Sequence, residues 1–123
     1  MGVRIRNVTF DCRDPVGLAK FWAAALGWEL AEWSCERWAC ALPPGTPAVG
    51  PRLYFEPVPE PKRVKNRVHL CLDPDGPPAE ELARLEALGA SRLREVRNDE
   101  GERWLVLRDP EGNELCLTIA VSP

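Results

Sequence analysis

Residues 104–119 read WLVLRDPEGNELCLTI, and the rest of the chain is laid out around this stretch. Trp104, Leu105, Val106 and Leu107 form a short apolar run flanked by charge, which predicts a strand. Asp109-Pro110-Glu111-Gly112-Asn113 is turn chemistry, because proline presets φ while glycine and asparagine tolerate positive φ. The chain then alternates. Glu114, Cys116 and Thr118 share one face, and Leu115, Leu117 and Ile119 share the other. The apolar face needs a packing partner, which leaves the face of Cys116 free to line a cavity.

Working outward, the preceding residues predict a strand over 91–96 and a hairpin turn over 98–101. A helix over 79–88 turns Leu82, Leu85 and Leu88 inward and ends at Gly89. Before it, residues 67–72 read as a strand in which Val68, Leu70 and Leu72 alternate with His69 and Cys71. The first part of the chain repeats this order. Asn7, Thr9 and Asp11 alternate with Val8, Phe10 and Cys12 in a strand over 3–12. Asp14-Pro15 starts a helix that runs to about Leu26, and Gly27 ends it as a left-handed residue. Strands over 28–34 and 37–42 follow, the second with Trp38 and Cys40 on one face. Residues 43–51 hold four prolines and two glycines and read as a loop. A strand over 52–56 sets Tyr54 and Glu56 opposite Leu53 and Phe55, and Pro57, Pro59 and Pro61 stop it.

The two passes form an internal repeat, each half reading βαβββ. An offset of 62 residues carries Leu26-Gly27 onto Leu88-Gly89, Val8 onto Leu70 and Asn7 onto His69. The later strands of each half do not keep this offset strictly, because the proline loop and the 98–101 turn differ in length. The expected fold is α+β: two βαβββ modules, about 1–60 and about 64–123, making one domain over 1–123. Side by side they would give a curved, mixed, eight-stranded sheet, a cup with the helices on its outer face.

Composition narrows the function classes. Of 123 residues, 45% are hydrophobic and 28% charged, ordinary for one soluble domain with a real core. The net charge is −3 and no basic run exceeds Lys62-Arg63, so no nucleic-acid surface is indicated. No apolar stretch approaches the roughly 20 residues of a membrane helix, and the first residues lack the apolar core of a signal peptide. The five cysteines are odd in number and contain no CxxC pair, which argues against a zinc knuckle or a disulfide framework. A reducing, cytoplasmic setting is the expectation.

In order and spacing, several motifs now resemble one family. They are Arg13-Asp14-Pro15, Phe21-Trp22, Leu26-Gly27-Trp28, Pro51-Arg52-Leu53-Tyr54-Phe55 and Pro57-Val58-Pro59-Glu60-Pro61-Lys62. Lys65-Asn66-Arg67-Val68-His69-Leu70 and the run from Asp109 to Cys116 complete them. The chain resembles the small glyoxalase-like domain proteins of the vicinal oxygen chelate superfamily, which also holds glyoxalase I, bleomycin-resistance proteins and extradiol dioxygenases. The resemblance spans essentially the whole chain and implies a cup of two modules and usually a homodimer.

It also implies where a metal would sit in metal-dependent members, with one ligand on the first and one on the last strand of each module. By local motif these positions fall on Asn7, His69, Cys116 and Glu56, with Tyr54 fitting nearly as well as Glu56. All four share the parity that points away from their strand's apolar face. A catalytic divalent site wants histidine and carboxylate with an open position. Asn7 is a poor ligand, and Cys116 stands where those members carry glutamate. The set is incomplete, so the leading expectation is a protein that binds a small organic molecule without a cofactor, of the drug-sequestering kind. Asn7, Thr9, Trp38, Tyr54, Trp104 and Cys116 would contact the ligand. The first alternative is a metal-dependent lyase, isomerase or dioxygenase-like enzyme using His69, Glu56 and Cys116. Metal-free proton transfer by His69 and Glu56 is a variant of it. The second alternative is a dimeric interaction module whose cup is filled by its own side chains.

Overall fold

The computed structural model describes residues 2–45 and 50–120. The chain divides into two compact units, Met1–Pro61 and Lys62–Pro123. The first contains β1 (Asn7–Cys12), α1 (Pro15–Leu26), β2 (Glu29–Leu30), β3 (Ala39–Leu42) and β4 (Arg52–Pro57). The second contains β5 (Leu70–Leu72), α2 (Pro78–Leu88), β6 (Ser91–Arg97), β7 (Arg103–Arg108) and β8 (Glu114–Ala120). Each is a βαβββ module, so the chain is α+β as expected. Among the described residues, eight strands fall into two four-stranded sheets, ordered β1-β4-β3-β2 and β5-β8-β7-β6. In each, the first strand lies parallel to the last, and the other pairs are antiparallel.

In the first unit, the helix is well specified. The Asp14 carboxylate accepts from Gly17 N at 3.1 Å and Pro15 occupies the first turn. Gly27, at φ 69°, takes the left-handed position, and Trp28 N reaches back to Ala23 O at 2.8 Å. The apolar stripe packs on β3 and β4. Leu18, Ala19, Phe21, Trp22, Ala23 and Ala25 are all buried, with Leu53 and Phe55 beneath them. The Phe10 ring lies 5.3 Å from Trp22 and 5.2 Å from Phe55, an aromatic core at favourable separations.

The second unit is built on the same plan with a lighter helix. Only Leu82 and Leu85 of α2 are buried; Leu88, expected inward, is 37% exposed. The sheet carries the core instead, through Val106, Leu107, Leu115 and Leu117. The β7–β8 turn is tied by Asp109, whose carboxylate accepts from Glu111 N, Asn113 N and Asn113 Nδ2 at 2.9–3.0 Å. This is the Asx-type turn that the Asp-Pro-Glu-Gly-Asn sequence predicts.

Four strands are shorter than their apolar alternation suggests, because a strand lasts only while it has a partner. β1 begins at Asn7, where β4 supplies Arg52 opposite; Val3 and Ile5 before it are exposed. β5 begins at Leu70, so Val68 and His69 lie outside it. β2 is only Glu29–Leu30, and the expected strand over 37–42 begins at Ala39. Between them Cys35 and Trp38 form an isolated antiparallel bridge, and Trp33 lies in the turn before it, closed by Ser34 N donating to Ala31 O. Part of the proline-rich loop, residues 46–49, lies outside the described residues.

The register corrects one feature of the repeat. Val8 is opposite Leu53, and Leu70 is opposite Leu115, so β1 and β4 both map onto their counterparts at the same offset of 62. Only β3 departs. Cys40 faces Tyr54 where Val106 faces Cys116, an offset of 66. Longer β6 and β7 strands add four residues before the pairing position of β7, and the shorter β7–β8 connection removes four after it, so the two changes cancel.

Candidate functional site

The candidate site lies on one face of the second unit's sheet. Period-two alternation puts His69, just before β5, and Cys71 on the same side. The parallel register sets Cys71 directly opposite Cys116. Val106 then lies opposite Cys116, and Trp104 opposite Thr118. The donor atoms of His69, Cys71 and Cys116 all lie within 4.8 Å of one another. His69 and Cys71 are exposed, and Cys116 is 5% exposed.

A cavity of about 380 Å³ opens over these residues. Asp73, Glu102, Arg103, Trp104, Thr118 and Ala120 complete its lining. Thr118 Oγ1 donates to Asp73 Oδ1 at 2.8 Å, which fixes one polar wall. Arg103 donates to Glu95 at 2.9 Å, yet its buried Nε has no hydrogen-bond partner among the described residues. A bulge between Arg103 and Trp104 breaks the alternation there and lets both neighbours line the same cavity.

The electrostatics separate the thiols. Burial pushes the Cys116 thiol up, and the adjacent Cys71 adds to it, while Lys65 and Arg94 oppose. In the first unit, Cys35 is held below its usual value by the backbone N–H groups of Arg37 and Trp38. Glu114 is not part of the cavity lining. Its carboxylate accepts from Lys62 Nζ and from Asn66 N, both within 3.2 Å, and so anchors residues 62–66 to β8. Burial raises this carboxyl, but the Asn66 N–H, its own N–H and Lys62 outweigh that and leave it below the usual range.

Of the residues singled out from sequence, His69, Trp104 and Cys116 come together in this cavity. The others belong to the first unit. Asn7 Oδ1 accepts from Arg52 Nε at 2.9 Å. Thr9 lies opposite Tyr54, and the Tyr54 ring is 6.2 Å from Trp33. Trp38 is 40% exposed and carries the Arg37 guanidinium 5.0 Å from its ring centre. Glu56 is exposed, opposite Asp11. The common offset makes Tyr54 the counterpart of Cys116, and Glu56 the counterpart of Thr118.

Sequence reasoning passed over Cys71, Asp73 and Thr118 as site residues. Their signal was present, since each lies two residues from a residue already on that face. Glu102 and Arg103 gave no such signal, because the bulge that turns them in is visible only in the strand register.

Comparison with known proteins places this geometry. The glyoxalase-like domain family matches residues 7–118. A comparison with curated protein sequences finds no match. Among solved structures, the chain is similar to a glyoxalase/bleomycin resistance protein/dioxygenase family enzyme from Burkholderia phytofirmans. The TM-score is 0.73 at 17% identity, over 94% of this chain and 98% of that one. It is also similar to the fosfomycin resistance protein FosX from Listeria monocytogenes, an E126Q mutant complexed with Mn(II) and 1S,2S-dihydroxypropylphosphonic acid. Here the TM-score is 0.74 at 15% identity, over 98% and 93% of the two chains. A lactoylglutathione lyase from Agrobacterium tumefaciens gives 0.62 at 18% identity, over 95% and 93%. At these identities the likeness is one of fold, whereas the family match covers most of the chain: the protein belongs to the glyoxalase-like domain family.

Proposed function

We propose that this protein binds a small organic molecule in the cavity on the second unit's sheet. The carrying observation is the cavity itself, about 380 Å³, with the Trp104 ring and a few convergent polar groups in its lining. That size and lining suit a compact ligand presenting an apolar or aromatic face. Arg103 in the lining favours a ligand that also carries an acceptor, such as a carboxylate or phosphonate oxygen. The sequestering character of the reading draws on the resistance proteins of the same fold. Mn(II), held in the FosX complex, does not fit the donors here, because manganese favours oxygen ligands and this cluster offers one imidazole and two thiols.

A panel of small aromatic acids and phosphonates, screened by thermal shift, tests the reading. Stabilising compounds are expected to lose their effect in Trp104→Ala and keep it in Arg84→Ala, which alters the exposed surface of α2. Compounds that stabilise both variants equally, or a panel with no stabilising compound, would overturn it.

Two further parts of the reading concern setting and assembly. All five cysteines are free, which supports a reducing, cytoplasmic compartment. No helix among the described residues is long and apolar enough to cross a membrane. Val64 and Val68 are 78% and 73% exposed, which supports a homodimer that would cover them. Light scattering on the wild type and on Val64→Lys/Val68→Lys measures this; a wild-type monomer would end the dimer reading.

A further inference from the structure

We propose that His69, Cys71 and Cys116 form a binding site for a thiophilic divalent cation, zinc above all, built within the second unit. Three observations carry this. The donor atoms of all three residues lie within 4.8 Å of one another. A tetrahedral zinc, with bonds of about 2.3 Å to sulfur and 2.0–2.1 Å to nitrogen, sets its donors about 3.5–3.8 Å apart. Side-chain rotation of about 1 Å therefore closes the site without moving the strands. Second, the backbone fixes two of the three donors. Cys71 and Cys116 are direct register partners on adjacent parallel strands, so both Cβ atoms leave the sheet on the same side. Third, both thiols are free, and one donor of each kind is accessible, since His69 and Cys71 are exposed.

The chain also contains its own contrast. At the positions related by the 62-residue offset, the first unit has Asn7, Thr9 and Tyr54, none of them a soft donor. The cluster is therefore not a by-product of the βαβββ plan. A nitrogen and two sulfurs select zinc, cobalt(II) or copper(I) over manganese or magnesium, which prefer oxygen. Three protein ligands leave a fourth position for water or for a group of a bound molecule. The site does not depend on the small-molecule reading, because it is measured with no organic ligand present, and that reading survives if no metal binds.

Full-length protein, stripped with chelator and kept reduced with a phosphine, is titrated with Co(II). One equivalent is expected to produce the sulfur-to-cobalt charge-transfer absorption of a dithiolate site. One equivalent of Zn(II) should displace it, and excess Mn(II) should not. Cys71→Ser, a change at an exposed position, is expected to lower affinity at least 100-fold and reduce the absorption to that of one thiolate. His69→Ala should lower affinity at least 10-fold, and Cys35→Ser should change nothing. Cys116→Ser is read only beside circular dichroism, since that side chain is buried. No charge-transfer absorption, absorption unchanged in Cys71→Ser, unchanged affinity in His69→Ala, or displacement by Mn(II) would each overturn the proposal.

Discussion

The two halves of this chain share one plan and differ in what they do with it. The first unit concentrates its burial in a helix: Trp22 and Leu18 are each 1% exposed and lie on an aromatic sheet core. The second leaves its helix half-packed, with two buried leucines, and concentrates donors and a cavity on the sheet face. Outside β3 the strand positions correspond at one offset, so the divergence lies in side chains and not in topology. Asn7, Thr9 and Tyr54 stand where His69, Cys71 and Cys116 stand. A duplicated module can therefore keep stability in one copy and free the other to carry chemistry.

The largest expected effect tests the stability side of that contrast. Trp22→Ala removes the most buried aromatic of α1 and should cost about 3–5 kcal/mol. Leu85→Ala in α2 should cost about 2 kcal/mol, at the low end for such a truncation, because a lightly packed helix can settle into the space. Urea midpoints measure both, and equal losses would break the contrast.

Next comes the β7–β8 turn. Asp109→Ala strips three acceptor bonds from a buried turn and should cost about 1–3 kcal/mol. The same substitution at Asp75, an exposed residue, should lie within about 0.5 kcal/mol of wild type. If Asp75→Ala proved the costlier of the two, the turn would not be the fastening that its hydrogen bonds suggest.

Glu114 gives a pH-dependent test. Its folded carboxyl is held below the usual range, so its contribution is present above the unfolded value of about 4.3 and is lost as pH falls through the lower folded value. Glu114→Gln should therefore be less stable than wild type by about 1–2 kcal/mol at pH 7. The difference should shrink in acid, and a gap that stays constant from pH 7 down to pH 3 would remove the linkage.

The smallest expected effect contrasts one thiol from each unit. Cys35 is partly exposed and its thiol is lowered, whereas Cys116 is buried and raised. Iodoacetamide at pH 7, followed by peptide mass mapping, should label Cys35 at least about tenfold faster. Faster labelling of Cys116 would mean that the floor of the cavity is open to reagents.

Much of this was legible in the sequence. The repeat, the Asp14-Pro15 start and Gly27 end of α1, and the Asp109–Asn113 turn all follow from short-range rules that act within a few residues. The free face of Cys116 followed from strict alternation. Strand lengths did not, since whether residues 3–6 or 67–69 are strand depends on what lies opposite them and not on their own pattern.

What the sequence by itself determined is the βαβββ duplication, the family and the side of the sheet on which His69 and Cys116 point, because periodicity is a local property of the chain. What only the tertiary structure decided is their company. Cys71 meets Cys116 because β5 and β8, 45 residues apart, pair in parallel at that register. Arg103 turns into the cavity because a bulge shifts β7 by one position. Tyr54 and not Glu56 is the counterpart of Cys116 for the same reason: strand register is set by long-range hydrogen bonds, and a shift of one residue changes the face of every side chain after it.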